Sequence, residues 1–122
     1  MTRGRERPAT ALVTGAGGGL GLETAVLLAA SGFRVAAGLR DLSRADELLG
    51  RAREAGVEER ILPLQMDVTD AGQIRAAVEV AESAFGGIGA LVNNAGFAAG
   101  GYTETIPADV WRRQFDVNLF GA

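Results

Sequence analysis

The 122-residue chain contains no cysteine, no histidine and no lysine. Without cysteine there is no disulfide framework, no thiolate metal site and no sulfur nucleophile. Without histidine the commonest general base and the commonest zinc ligand are missing, and no metal site is expected. All twelve basic residues are therefore arginines, which excludes a phosphate loop of the G-x-x-x-x-G-K-[ST] type. Long hydrophobic runs are also lacking, and nothing approaches the ~20 apolar residues of a membrane span. The leader "MTRGRERP", with Arg3, Arg5 and Arg7, is not followed by the apolar core of ~7–15 residues that a secretory signal carries. The net charge of −3, with no arginine-rich face, speaks against a nucleic-acid binder. These exclusions leave a cytoplasmic protein with one domain at residues 10–122 behind a flexible leader at residues 1–9.

What is present is 48% apolar and 22% charged, ordinary for a globular domain. Apolar runs alternate with helical patterns four times. "TALVTG" reads as a buried strand, followed by a helix from Leu20 to Gly32 that is apolar almost all round. "RVAAGLR" gives a second strand and "SRADELLGRAREAG" a helix with Ser43 as N-cap, Leu48, Leu49 and Ala52 on one face, and Gly56 as its stop. After "RILPLQMDV", Asp70 and Gln73 have the spacing of a capping box, and Ile74, Ala77, Val78, Ala81 and Phe85 keep a helical period. "GALVNNAG" is the fourth strand. A glycine-rich loop then leads to a helix starting near Pro107, with Trp111, Phe115 and Leu119 on one side. Strands that are continuous apolar runs, alternating with helices, predict a doubly wound parallel α/β sheet covered on both faces.

Between the first strand and first helix, "VTGAGGGLGLE" places five glycines within seven residues. Such a turn aims backbone N–H groups and the positive end of a helix dipole at one spot, which suits a phosphate. The common G-x-G-x-x-G spacing fails, because Leu20 and Leu22 stand where its third glycine belongs. The pattern that fits is T-G-x-x-x-G-x-G, at Thr14, Gly15, Gly19 and Gly21. A glycine-rich turn without a ligand is the plain alternative.

This turn and the Asn93-Asn94-Ala95-Gly96 that ends the fourth strand resemble the two signature motifs of the short-chain dehydrogenases/reductases. The resemblance runs from Thr10 to Ala122, over the N-terminal half of a family member, and implies a Rossmann-like sheet of strand order 3-2-1-4. It implies that Gly15, Gly18, Gly19, Leu20 and Gly21 line the pyrophosphate of a dinucleotide and that Thr14 braces the turn against the fourth-strand loop. Asp67 and Val68 would touch the adenine, and Asn94, Ala95 and Gly96 the adenosine ribose and the back wall. By spacing alone, Asp67 reads equally as a turn residue ahead of the cap at Asp70.

The second strand ends in "AAGLRD", where dinucleotide folds read the ribose 2′ position. Leu39 stands where NAD-preferring relatives carry aspartate, and Arg40, 19 residues beyond Gly21, offers a guanidinium to a 2′-phosphate. NADP(H) is therefore the expected cofactor, with NAD the alternative, since Asp41 could read a free ribose instead. Some NADP relatives carry a basic residue just before the second motif glycine. Here that position is Gly18.

The resemblance further implies hydride transfer between nicotinamide and the carbon of a small carbonyl or secondary alcohol. A tyrosine, a lysine four residues later and a serine would act on the substrate, and an asparagine would keep a water link to the lysine. Asn118 in "FDVNLFG" matches the asparagine, on the apolar side of its helix; a solvated amide on a helix flank is the alternative. The lone Tyr102 is followed four residues on by Ile106, and Ser31, Ser43 and Ser83 sit at a helix end, a cap and a helix. The other three catalytic groups are thus not found, the fourth strand is expected to leave an open apolar edge, and Ala122 reads as a truncation point. The expectation is an N-terminal fragment of an oxidoreductase that forms a homo-oligomer when whole, against the alternatives of a non-catalytic dinucleotide-binding module or a decayed fragment.

Overall fold

In the computed structural model, which describes residues 8–122, each apolar run forms a strand: β1 (Thr10–Val13), β2 (Arg34–Leu39), β3 (Ile61–Gln65) and β4 (Ala90–Val92). The first seven residues of the expected leader lie outside the described residues. All pairings are parallel, in the order β3-β2-β1-β4. The helices α1 (Gly19–Ala30), α2 (Ala45–Glu54) and α3 (Ala71–Phe85) provide the crossovers, and α4 (Ala108–Phe115) follows β4. Parallel neighbours cannot be joined by tight turns, so each connection carries a helix onto a face of the sheet. This is the doubly wound α/β arrangement of order 3-2-1-4.

Side chains alternate across each strand with period two, and the two faces build separate layers. Val13, Val35, Ala37 and Leu39 pack with Leu22 and Val26 of α1 and Leu48 and Ala52 of α2. Leu12 and Ala36 point the other way, to Met66 and to Ala77 and Ala81 of α3. Burial on both faces explains why β1 and β2 read as unbroken apolar runs. Ala11, Ala36 and Ala37 are fully buried, and such small side chains let the covering layers sit close to the sheet.

Two local expectations need correction. The cap expected at Ser43 is supplied by Asp41, whose Oδ1 accepts the Ser43 amide at 2.9 Å. Leu42–Arg44 form a 3-10 turn, and α2 starts only at Ala45. The short carboxylate reaches an amide two residues ahead, as aspartates in turns do, and leaves Ser43 inside the turn. At α3, Asp70 accepts the Gln73 amide at 3.1 Å, but the reciprocal half of the capping box is absent. Gln73 Oε1 instead accepts the Asp67 amide at 2.8 Å, tying the start of α3 to the loop after β3. Asp70→Ala is expected to lower stability by about 1 kcal/mol, the usual cost of losing an N-cap. A denaturant midpoint unchanged from the parent would contradict that role.

The far side of the sheet is less covered. β4 is an edge strand on which Leu91 is 56% exposed, and Trp111, Phe115, Leu119 and Phe120 are exposed as well. Among the described residues, no helix is long and apolar enough to cross a membrane.

Candidate functional site

The chain leaves β1 at Val13 and turns sharply into α1. Gly15 has φ +66°, and a Cβ there would lie 2.8 Å from the Ala95 Cα, so both its conformation and its neighbour demand glycine. Gly21, in the first turn of α1, is more crowded. A Cβ on it would overlap the Gly15 carbonyl oxygen and the Asn94 Nδ2.

That crowding comes from a brace between the ends of β1 and β4. Thr14 Oγ1 accepts the amides of Asn94 and Ala95, both at 3.0 Å, and donates to the Val92 carbonyl at 3.4 Å. The Asn94 amide group donates to the carbonyls of Thr14 at 3.2 Å and Gly15 at 3.1 Å. One hydroxyl and one side-chain amide therefore satisfy five backbone groups and hold the two loops in register. Of the turn's own amides, Ala16 donates to the Gly38 carbonyl at 2.9 Å, while those of Gly17, Gly18 and Gly19 make no backbone hydrogen bond among the described residues. No side chain caps α1 and no acidic residue lies in its first turn, so its opening N–H groups stand without a side-chain acceptor and carry the positive end of the helix dipole.

These amides face a cleft of about 370 Å³ at the C-terminal ends of the strands, the place where open parallel sheets bind ligands. Gly15, Gly17, Gly18 and Gly19 form one side, and Leu39, Arg40, Asp41 and Arg44 the side beyond β2. Met66, Asp67 and Val68 follow β3, and Ala95, Gly96 and Phe97 follow β4, with Val117 behind them.

Among the residues singled out from the sequence, Gly15, Gly18, Gly19, Arg40, Asp67, Val68, Ala95 and Gly96 line this one cleft. Thr14, Gly21 and Asn94 lie under it and shape it. The Leu20 side chain turns away and is 81% exposed, so only its backbone faces the turn. Asn118 stands beside the cleft, with Oδ1 accepting the Phe97 amide at 2.9 Å and Nδ2 donating to the Phe97 carbonyl at 2.7 Å. It is exposed rather than set on a buried apolar side, because no described residue covers that side of α4; its amide is satisfied by the loop. Around it, Asp116–Phe120 form a π-turn closed by the Gly121 amide on the Asp116 carbonyl at 2.7 Å. Tyr102 is exposed in the glycine-rich loop.

Electrostatically, the cleft mixes two arginines with two carboxylates that are already engaged. Hydrogen bonds from the Thr69 side chain and then its amide hold the Asp67 carboxyl below its usual range, with smaller help from Arg113 and Arg40 against the effect of burial. Ser43 does the same for Asp41, side chain before backbone, with Arg44 and Arg40 adding to it. Both therefore remain ionised at neutral pH, each with its Oδ1 engaged by a neighbouring donor. Arg40 makes no ion pair among the described residues, and its carbonyl accepts from Gln65 Nε2 at 2.5 Å.

Arg44, Met66, Phe97 and Val117 line the cleft without having been anticipated. Phe97 directly follows the Asn-Asn-Ala-Gly motif and Met66 directly precedes Asp67, so extending each motif by one residue would have found them. Arg44 offered only a second arginine four residues beyond the first.

The comparisons with known proteins agree with this geometry. The sequence model of the family described as short chain dehydrogenase matches residues 9–122. An uncharacterized oxidoreductase, YusZ, of Bacillus subtilis is 42% identical over 91% of this chain and 39% of its own length. A crystal structure of a variant actinorhodin polyketide ketoreductase with NADPH superposes with a TM-score of 0.86 at 37% identity, covering 93% of this chain and 43% of that one. The 3-ketoacyl-(acyl-carrier-protein) reductase of Brucella melitensis, complexed with NADH, gives 0.84 at 32% identity over 94% and 46%. This chain thus spans less than half the length of each of these three proteins. With a family model that matches nearly every residue, the glycine turn and the fourth-strand motif included, the chain belongs to the short-chain dehydrogenase family.

Proposed function

We propose that residues 10–122 are the nucleotide-binding part of an NADP(H)-dependent oxidoreductase that interconverts a carbonyl and a secondary alcohol of a small molecule. The observation that carries this reading is the glycine turn, pinned open by Thr14 and Asn94, with uncapped amides facing a cleft that ends at Arg40. The residues present fit a dinucleotide. The turn has no side chain that would fill the phosphate position, its donors are backbone amides suited to a pyrophosphate, and the walls beyond are apolar at Met66 and Val68.

In this reading the amides of Gly15, Gly18, Gly19, Leu20 and Gly21 hold and shape the pyrophosphate site. Asp67 and Val68 border the adenine, and Asn94, Ala95 and Gly96 form the ribose side and back wall. When bound, the nicotinamide supplies or accepts the hydride. Asn118 is a positioning residue: by holding Phe97 at both its amide and its carbonyl, it orders the loop that closes the cleft. The chain contains no lysine, so the tyrosine–lysine pair that family membership suggests for proton transfer is no part of these 122 residues. The reductase names of the structural neighbours support the carbonyl/alcohol class.

Those neighbours were solved with NADPH and with NADH, so the choice of cofactor rests on this chain's own β2 end. Leu39 is buried and supplies no carboxylate. Asp41 turns one carboxylate oxygen to the Ser43 amide, and Arg40, which makes no ion pair among the described residues, is the cationic group at the ribose position. Arg40→Asp should weaken NADPH binding about 30-fold and NADH binding less than about 3-fold, since a dianion loses a charge-assisted partner and meets a like charge. Fluorescence titration with both cofactors checks this, and equal losses would overturn the assignment.

A further inference from the structure

The glycine at position 18 is not required by its own backbone. Its φ is −176°, an extended conformation open to any residue. Among the described residues, its two chain neighbours aside, the only heavy atom within 4 Å of a Cβ built there is Nη2 of Arg44, at 3.4 Å. The same arginine passes Gly17, where a built Cβ would lie 3.9 Å from the Arg44 Cβ. Arg44 thus comes from the 3-10 turn after β2 and lays its guanidinium against the bare glycine turn, in space that a side chain at position 18 would enter.

Its charge is little used by the protein. Among the described residues its guanidinium makes no hydrogen bond, and its one ion pair, to Glu47, is 3.9 Å long with the two side chains 59% and 64% exposed. An exposed pair at that distance contributes little. The nearby carboxylates of Asp41 and Asp67 are held by Ser43 and Thr69. Arg40 and Arg44 are therefore two guanidinium groups on the wall beyond β2 of one cleft, neither closely paired.

We propose that Arg44 is a second cation for the 2′-phosphate, reaching it from the side of the glycine turn while Arg40 reaches it from the end of β2. This rests on the NADP(H) reading above. A phosphate monoester approaches two negative charges at neutral pH, and two planar forks satisfy its oxygens better than one.

The test uses two probes that differ only in that group, adenosine 2′,5′-bisphosphate and AMP, titrated calorimetrically into the full-length protein. Arg44→Gln should weaken the bisphosphate about 10-fold and AMP less than about 2-fold. A loss equal for both probes would assign Arg44 to the 5′-phosphate or to folding, and no loss would make it a bystander; either result overturns the inference. Arg40→Gln, measured alongside, separates the two layers of argument. If it lowers bisphosphate binding selectively while Arg44→Gln does not, the NADP(H) reading stands and the role of Arg44 falls. If the parent protein binds both probes alike and neither variant changes the ratio, the NADP(H) reading itself fails.

Discussion

Gly21→Ala is expected to lower stability by about 3 kcal/mol and to abolish measurable dinucleotide binding. Its added methyl group would overlap the Gly15 carbonyl oxygen and the Asn94 side-chain amide, with the Gly15 carbonyl carbon only 2.8 Å away. Neither obstacle is the free end of a flexible side chain. Gly15 is held by its own backbone conformation, and Asn94 by two hydrogen bonds to carbonyls. Relief therefore requires moving the start of α1 or opening the brace, at the upper end of the cost of overpacking. Gly17→Ala is the matched control, since a Cβ there meets Leu39 Cδ2 at an ordinary 3.6 Å, and its cost should stay below about 1 kcal/mol. Denaturant unfolding and cofactor titration of both variants provide the check. A Gly21→Ala protein that folds and binds like its parent would refute the account of the turn.

The second large effect is expected from Asn94→Asp, which keeps the shape of the side chain and removes its donors. In the parent, Nδ2 donates to the carbonyls of Thr14 and Gly15. A carboxylate in that place would set negative charge against two carbonyl oxygens that have lost their partner. Unmet carbonyls and a poorly solvated charge together should cost about 3 kcal/mol at neutral pH. The pH dependence carries the distinguishing sign. Only the protonated acid can donate, so the folded state binds that proton more tightly than the unfolded chain, and the variant's folded pKa is raised above its unfolded value. The deficit relative to the parent should accordingly be largest above the raised folded pKa and shrink as pH falls through it. A deficit that is constant with pH would refute the donor role assigned to the Asn94 amide.

The elements were legible because their signals are periodic. Past their first residues, Thr10 and Arg34, the runs of β1 and β2 carry no polar side chain, since both faces are covered, and α3 buries Ala77 and Ala81 on the face its spacing marked. The glycine turn was legible for another reason: at Gly15 and Gly21 the backbone geometry leaves room for no other residue, so the function of the turn is written in residue type. Side-chain direction in the loops has no such code. Asp41 took the cap from Ser43, and Gln73 turned to Asp67 instead of Asp70, because each polar group goes to whichever amide is nearest once the chain has bent. Asn118 was placed by its motif, but its partner Phe97 lies 21 residues earlier, across a loop whose path no local pattern describes. Arg44 carries no local signal, since a solvated arginine in the turn after a strand is common, and only its approach to Gly18 sets it apart.

The brace also constrains the order in which the protein can assemble. Thr14 and Asn94 are 80 residues apart, so the loop closure they require is among the longest in the described chain, and closures of that span come late in folding. A growing chain can pair β1 with β2 through α1 from short-range contacts, and the Ala16 amide then ties the glycine turn to the Gly38 carbonyl, yet the Thr14 and Asn94 bonds wait until the end of β4 has been made. Until then the turn is held from the β2 side alone. Cofactor present during synthesis has nothing to select before that moment, and afterwards it can stabilise only chains whose two loops have already met.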